Sequence, residues 1–298
     1  MPPPYTKIGI IREAKVPPDR RTPLTPTQCA QVVKGGIDLV VQRSPVRAFT
    51  DEEYTTAGVR VVEDMTDRDL LIAVKEVPPQ LLMASKSYLF FSHTIKKQPH
   101  NQKLLHTVLE RGITLIDHEL LTDTSGTRVI AFGRWAGVVG AYNAIRALRI
   151  AAGEADLKPA HHCHDRAEME TLLADVPLRK DLRIVLTGEG RVGGGAMEVL
   201  DHKGLRRVAP ADFLASDFDS PVYTVLGTND LYERIDDMPF DKAVFHSDPS
   251  GHRSRFPPYA RRAQLYIACH FWDPRGPKIL SRTDLRDPQL ALRAIADI

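Results

Sequence analysis

Several absences narrow what this chain can be. No apolar run approaches the roughly 18–20 residues that a membrane-crossing helix needs. The opening MPPPYTKIGIIREAK has no apolar core long enough for a secretory signal. Neither sign of charge is in excess. With 40 basic and 38 acidic side chains the net charge is +2, which makes no electrostatic case for nucleic acid or an anionic membrane as partner. Cysteine is scarce. Cys29, Cys163 and Cys269 are scattered and odd in number, which argues for a reducing compartment, the cytoplasm, and against a disulfide framework. Internal repeats and low-complexity segments are lacking as well. The rest is ordinary globular composition, 43% hydrophobic and 26% charged over 298 residues, enough for two domains with real cores.

Apolar runs alternate with helical patterns. KIGIIRE, IDLVVQRS, LLIAVKEV, SYLFFSHTI and ITLIDH read as strands. LTPTQCAQVVKGG reads as a helix capped by Thr25, with Pro26 in its first turn and Gly35 and Gly36 at its end. FTDEEYTTAG is a short capped helix and NQKLLHTVLERG a further one. Such alternation predicts an α/β fold with a mostly parallel sheet covered on both faces. GRWAGVVGAYNAIRALRIAAGEA, rich in small residues, is expected to be a long helix crossing into a second domain, with Trp135 in the core. The expected division is 1–133 and 134–298. DLKPAHHCHDRAEME reads as a polar linker, SPVYTVLG and AQLYIACHF as strands of a second sheet, and the terminal ALRAIADI as a buried strand.

Residues 183–204, RIVLTGEGRVGGGAMEVLDHKG, combine a strand, a glycine-rich turn and a helix. Gly188, Gly190 and Gly193 fit G-x-G-x-x-G, with Arg191 and Val192 inside the motif. The first glycine permits a tight turn, the second lets a pyrophosphate approach the backbone, and the third allows close helix–strand packing. The pattern alone is weak, and a bare tight turn is the alternative; the strand before it and the helix after it favour a nucleotide. The acid expected about 20 residues on, to hold the ribose hydroxyls, is missing. Arg206 and Arg207 stand where the next strand begins, and Pro210 falls near its expected end. NAD(P)(H) is the cofactor class this implies, tilted towards NADP(H). Cys269 and His270 precede the loop WDPRGP at a strand's carboxyl end, where open α/β sheets bind ligands.

Lys75 and His93 also lie at or just beyond the carboxyl ends of strands. Position alone fits a surface lysine and a hydrogen-bonded loop histidine, whereas chemistry would suit the pair to proton exchange with an amine or imine. HHCH, residues 161–164, lacks the spaced second ligand pair of a metal site, and contiguous side chains cannot all face one ion, so a polar linker is preferred to metal. The basic cluster around Arg261 reads as a solvated face.

Taken together, IREAKVPPDRRTPLTP, AVKEVPP, YLFFSHTIKKQ, LIDHELLTDTSGTRVIAFGRWAGVVGAYN, GEGRVGGGAMEVL and IACHFWDPRGPKIL resemble the alanine dehydrogenase, transhydrogenase and saccharopine dehydrogenase superfamily. The likeness is greatest to its lysine–ketoglutarate reductases, and it runs from about Lys7 to Ile298. It implies two Rossmann-like doubly wound domains around a central cleft, the first holding substrate and the second the nicotinamide cofactor. It implies an oxidoreductase on C–N bonds, passing hydride between NAD(P)H and an imine of an amino acid and a 2-oxo acid. Arg21 matches the family's carboxylate-binding arginine, Lys75 and His93 its catalytic pair, and Glu119 and Arg128 the glutamate and arginine of its substrate site. The likeness therefore turns Lys75 and His93 from bland to functional. The partners it implies are small molecules, and a homodimer is compatible with it. The family pattern IADxSxD is met only as far as Asp297, which suggests weak or absent turnover and leaves a second class open: a binding or accessory protein that keeps the cleft without catalysis.

Overall fold

The computed structural model describes residues 5–17 and 19–298. By internal contacts the chain divides into two compact units, Met1–Ala131 and Phe132–Ile298. The first contains β1 (Lys7–Ile10), α1 (Pro26–Lys34), β2 (Asp38–Gln42), α2 (Asp51–Thr56), β3 (Arg60–Val62), β4 (Leu70–Lys75), β5 (Ser87–Phe91), α3 (Gln102–Glu110) and β6 (Thr114–Asp117). Its sheet runs β3-β2-β1-β4-β5-β6 with every pair parallel, the strand order of a doubly wound dinucleotide fold. The near-continuous apolar strands account for burial on two faces. Leu39 and Val41 pack with Cys29 of α1 and Tyr54 of α2, while Val40, Leu71, Tyr88 and Phe90 pack with Leu104 and Val108 of α3. Thr25 and Thr50 each close a capping box, accepting from the amides of Gln28 and Glu53, and these fix where α1 and α2 begin.

The second unit contains α4 (Gly133–Ala151), α5 (Arg166–Ala174), β7 (Arg183–Thr187), α6 (Arg191–His202), β8 (Arg206–Arg207), α7 (Pro210–Ala215), β9 (Val222–Leu226), α8 (Thr228–Leu231), β10 (Tyr232–Arg234), α9 (Lys242–Ser247), β11 (His252–Ser254), α10 (Pro257–Ala260), β12 (Leu265–Ala268) and β13 (Ala294–Asp297). Its sheet is also parallel, ordered β13-β12-β7-β9-β8, while β10 and β11 form a separate antiparallel pair. Ile184 and Leu186 of β7 face the core under α4, α5 and α6; Val185 faces the core under α7, α8 and α10. This alternation follows from the two-residue side-chain period of a strand.

Helices α4 and α6 meet backbone to backbone. A Cβ at Gly137 would lie 1.9 Å from the Val192 carbonyl oxygen, and one at Gly195 would lie 1.9 Å from that of Arg134. The small residues of the long helix thus serve one close crossing. Glu198 ties three helices there, accepting from Arg134 at 2.6 Å and Arg166 at 2.9 Å.

Four local expectations change. The supposed linker contains α5, whose start is fixed by the Asp165 carboxylate accepting from the Glu168 amide. Trp135 is 48% exposed and lies under the Arg134 guanidinium, because the core side of α4 is taken by glycine and alanine contacts. Pro210 opens α7, since β8 is only two residues long. The terminal strand β13 does join the second sheet beside β12, but as a half-exposed edge, with Ile295 48% exposed.

Candidate active site

In the first unit, polar side chains gather past the carboxyl ends of β4, β5 and β6. Asp117, the last residue of β6, is buried and works in two directions. One oxygen accepts from the buried Ser92 hydroxyl at 2.5 Å, and the other accepts from the Glu119 amide at 2.8 Å. One carboxylate therefore braces the loops that carry His93 and Glu119. His93 adopts a left-handed backbone, φ 55°, uncommon for a residue with a Cβ. This turns its ring so that Nδ1 lies 2.9 Å from a Glu119 carboxylate oxygen.

The other oxygen of Glu119 faces Lys96 Nζ at 3.1 Å and Arg128 at 3.3 Å. The hydrogen bond from His93, with Lys96 beside it, holds the Glu119 carboxyl below the usual carboxylate range. An ionised Glu119 accepts, so His93 Nδ1 carries a proton and the ring is oriented through it. The longer 3.3 Å contact between Lys96 and Nδ1 is secondary to the ion pair.

Lys75 closes β4 in register with Phe91, two residues before His93. Just there, Glu13 accepts from the amides of Val74 at 2.6 Å and Lys75 at 2.9 Å, pinning the strand end. Burial pushes the Glu13 carboxyl up despite these two amides. Arg21 is gripped by both oxygens of Asp19, at 2.9 and 2.5 Å, and that pairing lowers the Asp19 carboxyl, with the Lys75 charge assisting. The structure therefore gathers His93, Glu119 and Arg128 into one network and sets Lys75 on the neighbouring strand end. Sequence reasoning missed Glu13, Asp19, Lys96 and Asp117. Lys96 had a signal, since it follows His93 by three residues.

In the second unit a cavity of about 490 Å³ opens at the carboxyl ends of β7, β9 and β12, lined by Gly188, Gly190, Gly227, Cys269 and His270 among others. Gly188 has φ +96°, and a Cβ there would lie 2.8 Å from the Cys269 backbone; one at Gly193 would lie 1.9 Å from the Gly188 oxygen. The chain's own packing thus demands both glycines. A Cβ at Gly190 meets nothing within 4 Å, so that glycine borders open space. It stands immediately before Arg191 and Val192, where the first turn of α6 has no side-chain cap and offers its amides to an anion. His270 Nδ1 lies 2.7 Å from the Thr187 hydroxyl, which also meets the Tyr266 hydroxyl at 3.2 Å. Its Nε2 is buried with no partner among the described residues. Burial pushes this imidazole's pKa down, and pushes the Cys269 thiol up to about 12. An open glycine-walled cradle and an orphaned ring nitrogen both fit a dinucleotide.

Arg206 and Arg207 are exposed and form β8, which pairs with β9 and is therefore one strand removed from β7. Arg206 lies over the Phe218 ring, and neither arginine lines the cavity. The strand beside the glycine turn is β9, and Thr228, Lys242 and His246 line the cavity from beyond it. Among the described residues, no cluster of three or more metal-ligating side chains occurs, and no helix is long and apolar enough to cross a membrane.

These features define a chain of two doubly wound α/β units. The chain matches, over residues 9–139, the family model described as alanine dehydrogenase/PNT, N-terminal domain. Its homologues are dehydrogenases acting on amino-acid substrates. It is 32% identical over 288 residues to the mouse (Mus musculus) protein named alpha-aminoadipic semialdehyde synthase, mitochondrial, covering 89% of this chain and 31% of that one. It is 26% identical to the Neurospora crassa saccharopine dehydrogenase [NAD(+), L-lysine-forming], over 94% of this chain and 70% of the relative. The chain thus spans about a third of the length of the mouse relative. A solved L-alanine dehydrogenase superposes over 98% of this chain and 73% of its own, with TM-score 0.60 and 16% identity, a likeness of fold.

Proposed function

We propose that the chain is an oxidoreductase of the saccharopine dehydrogenase type. It would join an amino-acid amine to a 2-oxo acid through an imine, and reduce that imine to a secondary amine. The observation that carries the reading is the His93–Glu119 network, because an imidazole whose Nδ1–H is held by an ionised carboxylate is oriented to exchange protons through Nε2. The first unit would hold the substrates and the second the dinucleotide.

In this mechanism Arg21 and Arg128 bind substrate carboxylates, exchanging part of their contact with Asp19 and Glu119 for the ligand. The attacking amine adds to the keto carbon. His93 Nε2 takes a proton from the resulting ammonium and returns it to the alkoxide, and Lys75 donates the second proton with which the carbinolamine oxygen leaves as water. The bound dinucleotide would supply the hydride that adds to the imine carbon. Gly190 and the amide end of α6 would hold its pyrophosphate, and His270 Nε2 would offer a fixed hydrogen-bonding point. The cytoplasmic assignment rests on three free cysteines, although the mouse relative is named as mitochondrial.

The test is turnover with lysine, 2-oxoglutarate and NADH or NADPH. His93→Ala should lower kcat by about 10²-fold or more while leaving dinucleotide affinity within about twofold. Absence of turnover in the wild-type chain with either cofactor would sink the enzymatic reading in favour of a binding or accessory role.

A further inference from the structure

The glycine turn holds a residue that the motif leaves unspecified, Glu189, between Gly188 and Gly190. It is exposed, and it lines the cavity at the sheet edge. Its side chain lies over the end of the adjacent strand. A Cβ built on Gly227, the residue after β9, would come within 2.6 Å of a Glu189 carboxylate oxygen and 3.3 Å of its carboxyl carbon. Gly227 has an ordinary backbone conformation, φ −77°. The turn itself therefore does not require glycine there, and the lack of a side chain gives the carboxylate its place. The backbone also joins the two strand ends, with the Gly188 amide donating to the Leu226 carbonyl at 3.0 Å. On the far side of Gly227 the Asp230 carboxylate accepts from its amide at 2.9 Å.

In a doubly wound dinucleotide domain, the adenosine ribose lies over the end of the strand next to the glycine turn, and an acid there takes its hydroxyls. Here that strand is β9. We infer that Glu189, reaching across from the glycine turn onto the end of β9, is the acid that receives the ribose 2′-hydroxyl and selects NAD(H) over NADP(H). The inference rests on the dinucleotide reading above and sharpens it. A 2′-phosphate would set up to about two negative charges against Glu189, with Asp230 close behind, and like charges so placed discriminate strongly. The expectation of NADP(H) came from Arg206 and Arg207, which sit on the strand beyond β9 and outside the cavity. Lys242 and His246 of α9 do line it, and they are the groups a 2′-phosphate would have to recruit.

Fluorescence titration of the full chain with NADH and with NADPH tests this. NADH should bind at least about tenfold more tightly than NADPH. Glu189→Gln, a change in an exposed loop, should tighten NADPH by about tenfold and weaken NADH by a few-fold, closing the gap. Tighter NADPH binding by the wild type overturns the inference and leaves the dinucleotide reading standing, most directly if Lys242→Gln abolishes that preference. A preference that moves with Arg206→Ser/Arg207→Ser and not with Glu189→Gln also overturns it. Binding of neither cofactor removes both the inference and the reading beneath it.

Discussion

Adding one methyl group to α4 should loosen the second unit measurably. Gly137→Ala places a carbon 1.9 Å from the Val192 carbonyl oxygen and 2.7 Å from the Ala196 nitrogen, whereas ordinary contact begins at 3.4 Å. The nearest gap is short by about 1.5 Å, and the atoms across it are backbone, which cannot swing aside as a side chain would. Overpacking of this kind costs about 3 kcal/mol when the neighbour is rigid. Alanine's better helix propensity returns about 1 kcal/mol, leaving a net loss of about 2 kcal/mol. In a unit of this size that lowers the melting temperature by about 4–8 °C. Gly194, in α6, is the internal control. A Cβ there meets nothing within 4 Å, so Gly194→Ala should gain about 0.5–1 kcal/mol and melt about 1–4 °C higher. Differential scanning calorimetry of the three proteins without ligand reads both shifts. A Gly137→Ala protein that melts at or above the wild type would refute the backbone-to-backbone crossing. If Gly194→Ala falls alongside it, the loss reflects these glycines in general and not the close approach.

Two further outcomes follow from the ionisable groups. Glu119 has its folded-state pKa below the ordinary value, so its contribution to stability is present above about pH 4.3 and is lost as pH falls through the lowered value. Glu119→Gln should therefore melt below the wild type at pH 7 and converge with it near pH 3; a gap that stays constant across that range would contradict the His93–Glu119 pairing. Burial pushes Cys29 up to about 11 and Cys269 up to about 12, so native protein at pH 8 should resist alkylation at both and react only after unfolding. Rapid labelling of Cys269 in the native state, read by mass spectrometry, would mean the β12 end is more open than described.

The parts of the fold legible in the sequence were those with strong local grammar. Thr25 with Pro26, and Thr50 before an acidic first turn, announced two helix starts, and the apolar runs of β4, β5 and β9 announced buried parallel strands. What escaped was short or held by distant partners. RVV of β3 is three residues long and only partly buried, and the strand expected to begin at Arg206 and Arg207 is no longer than those two residues. The order of β8 and β9 in the sheet is a tertiary fact with no local signature, which is why counting forward from the glycine turn led to Arg206 and not to the end of β9. At the site, the family likeness pointed to His93 and Glu119, but not to the Asp117 carboxylate that joins their loops, because an acid ending a strand looks alike whether it braces a loop or faces water.

The left-handed backbone at His93 sets stability against chemistry at a single position. A residue with a Cβ gives up on the order of 1 kcal/mol to hold φ 55°, a cost that glycine escapes and asparagine bears more easily. A His93→Gly protein would shed that strain together with the hydrogen bond to Glu119, and would lack the imidazole that the proposed mechanism uses. Directed evolution that screened this chain for heat resistance alone would weigh that strain only against the Glu119 contact and would be blind to the imidazole's chemistry, so a thermostability campaign needs an activity gate at this one codon.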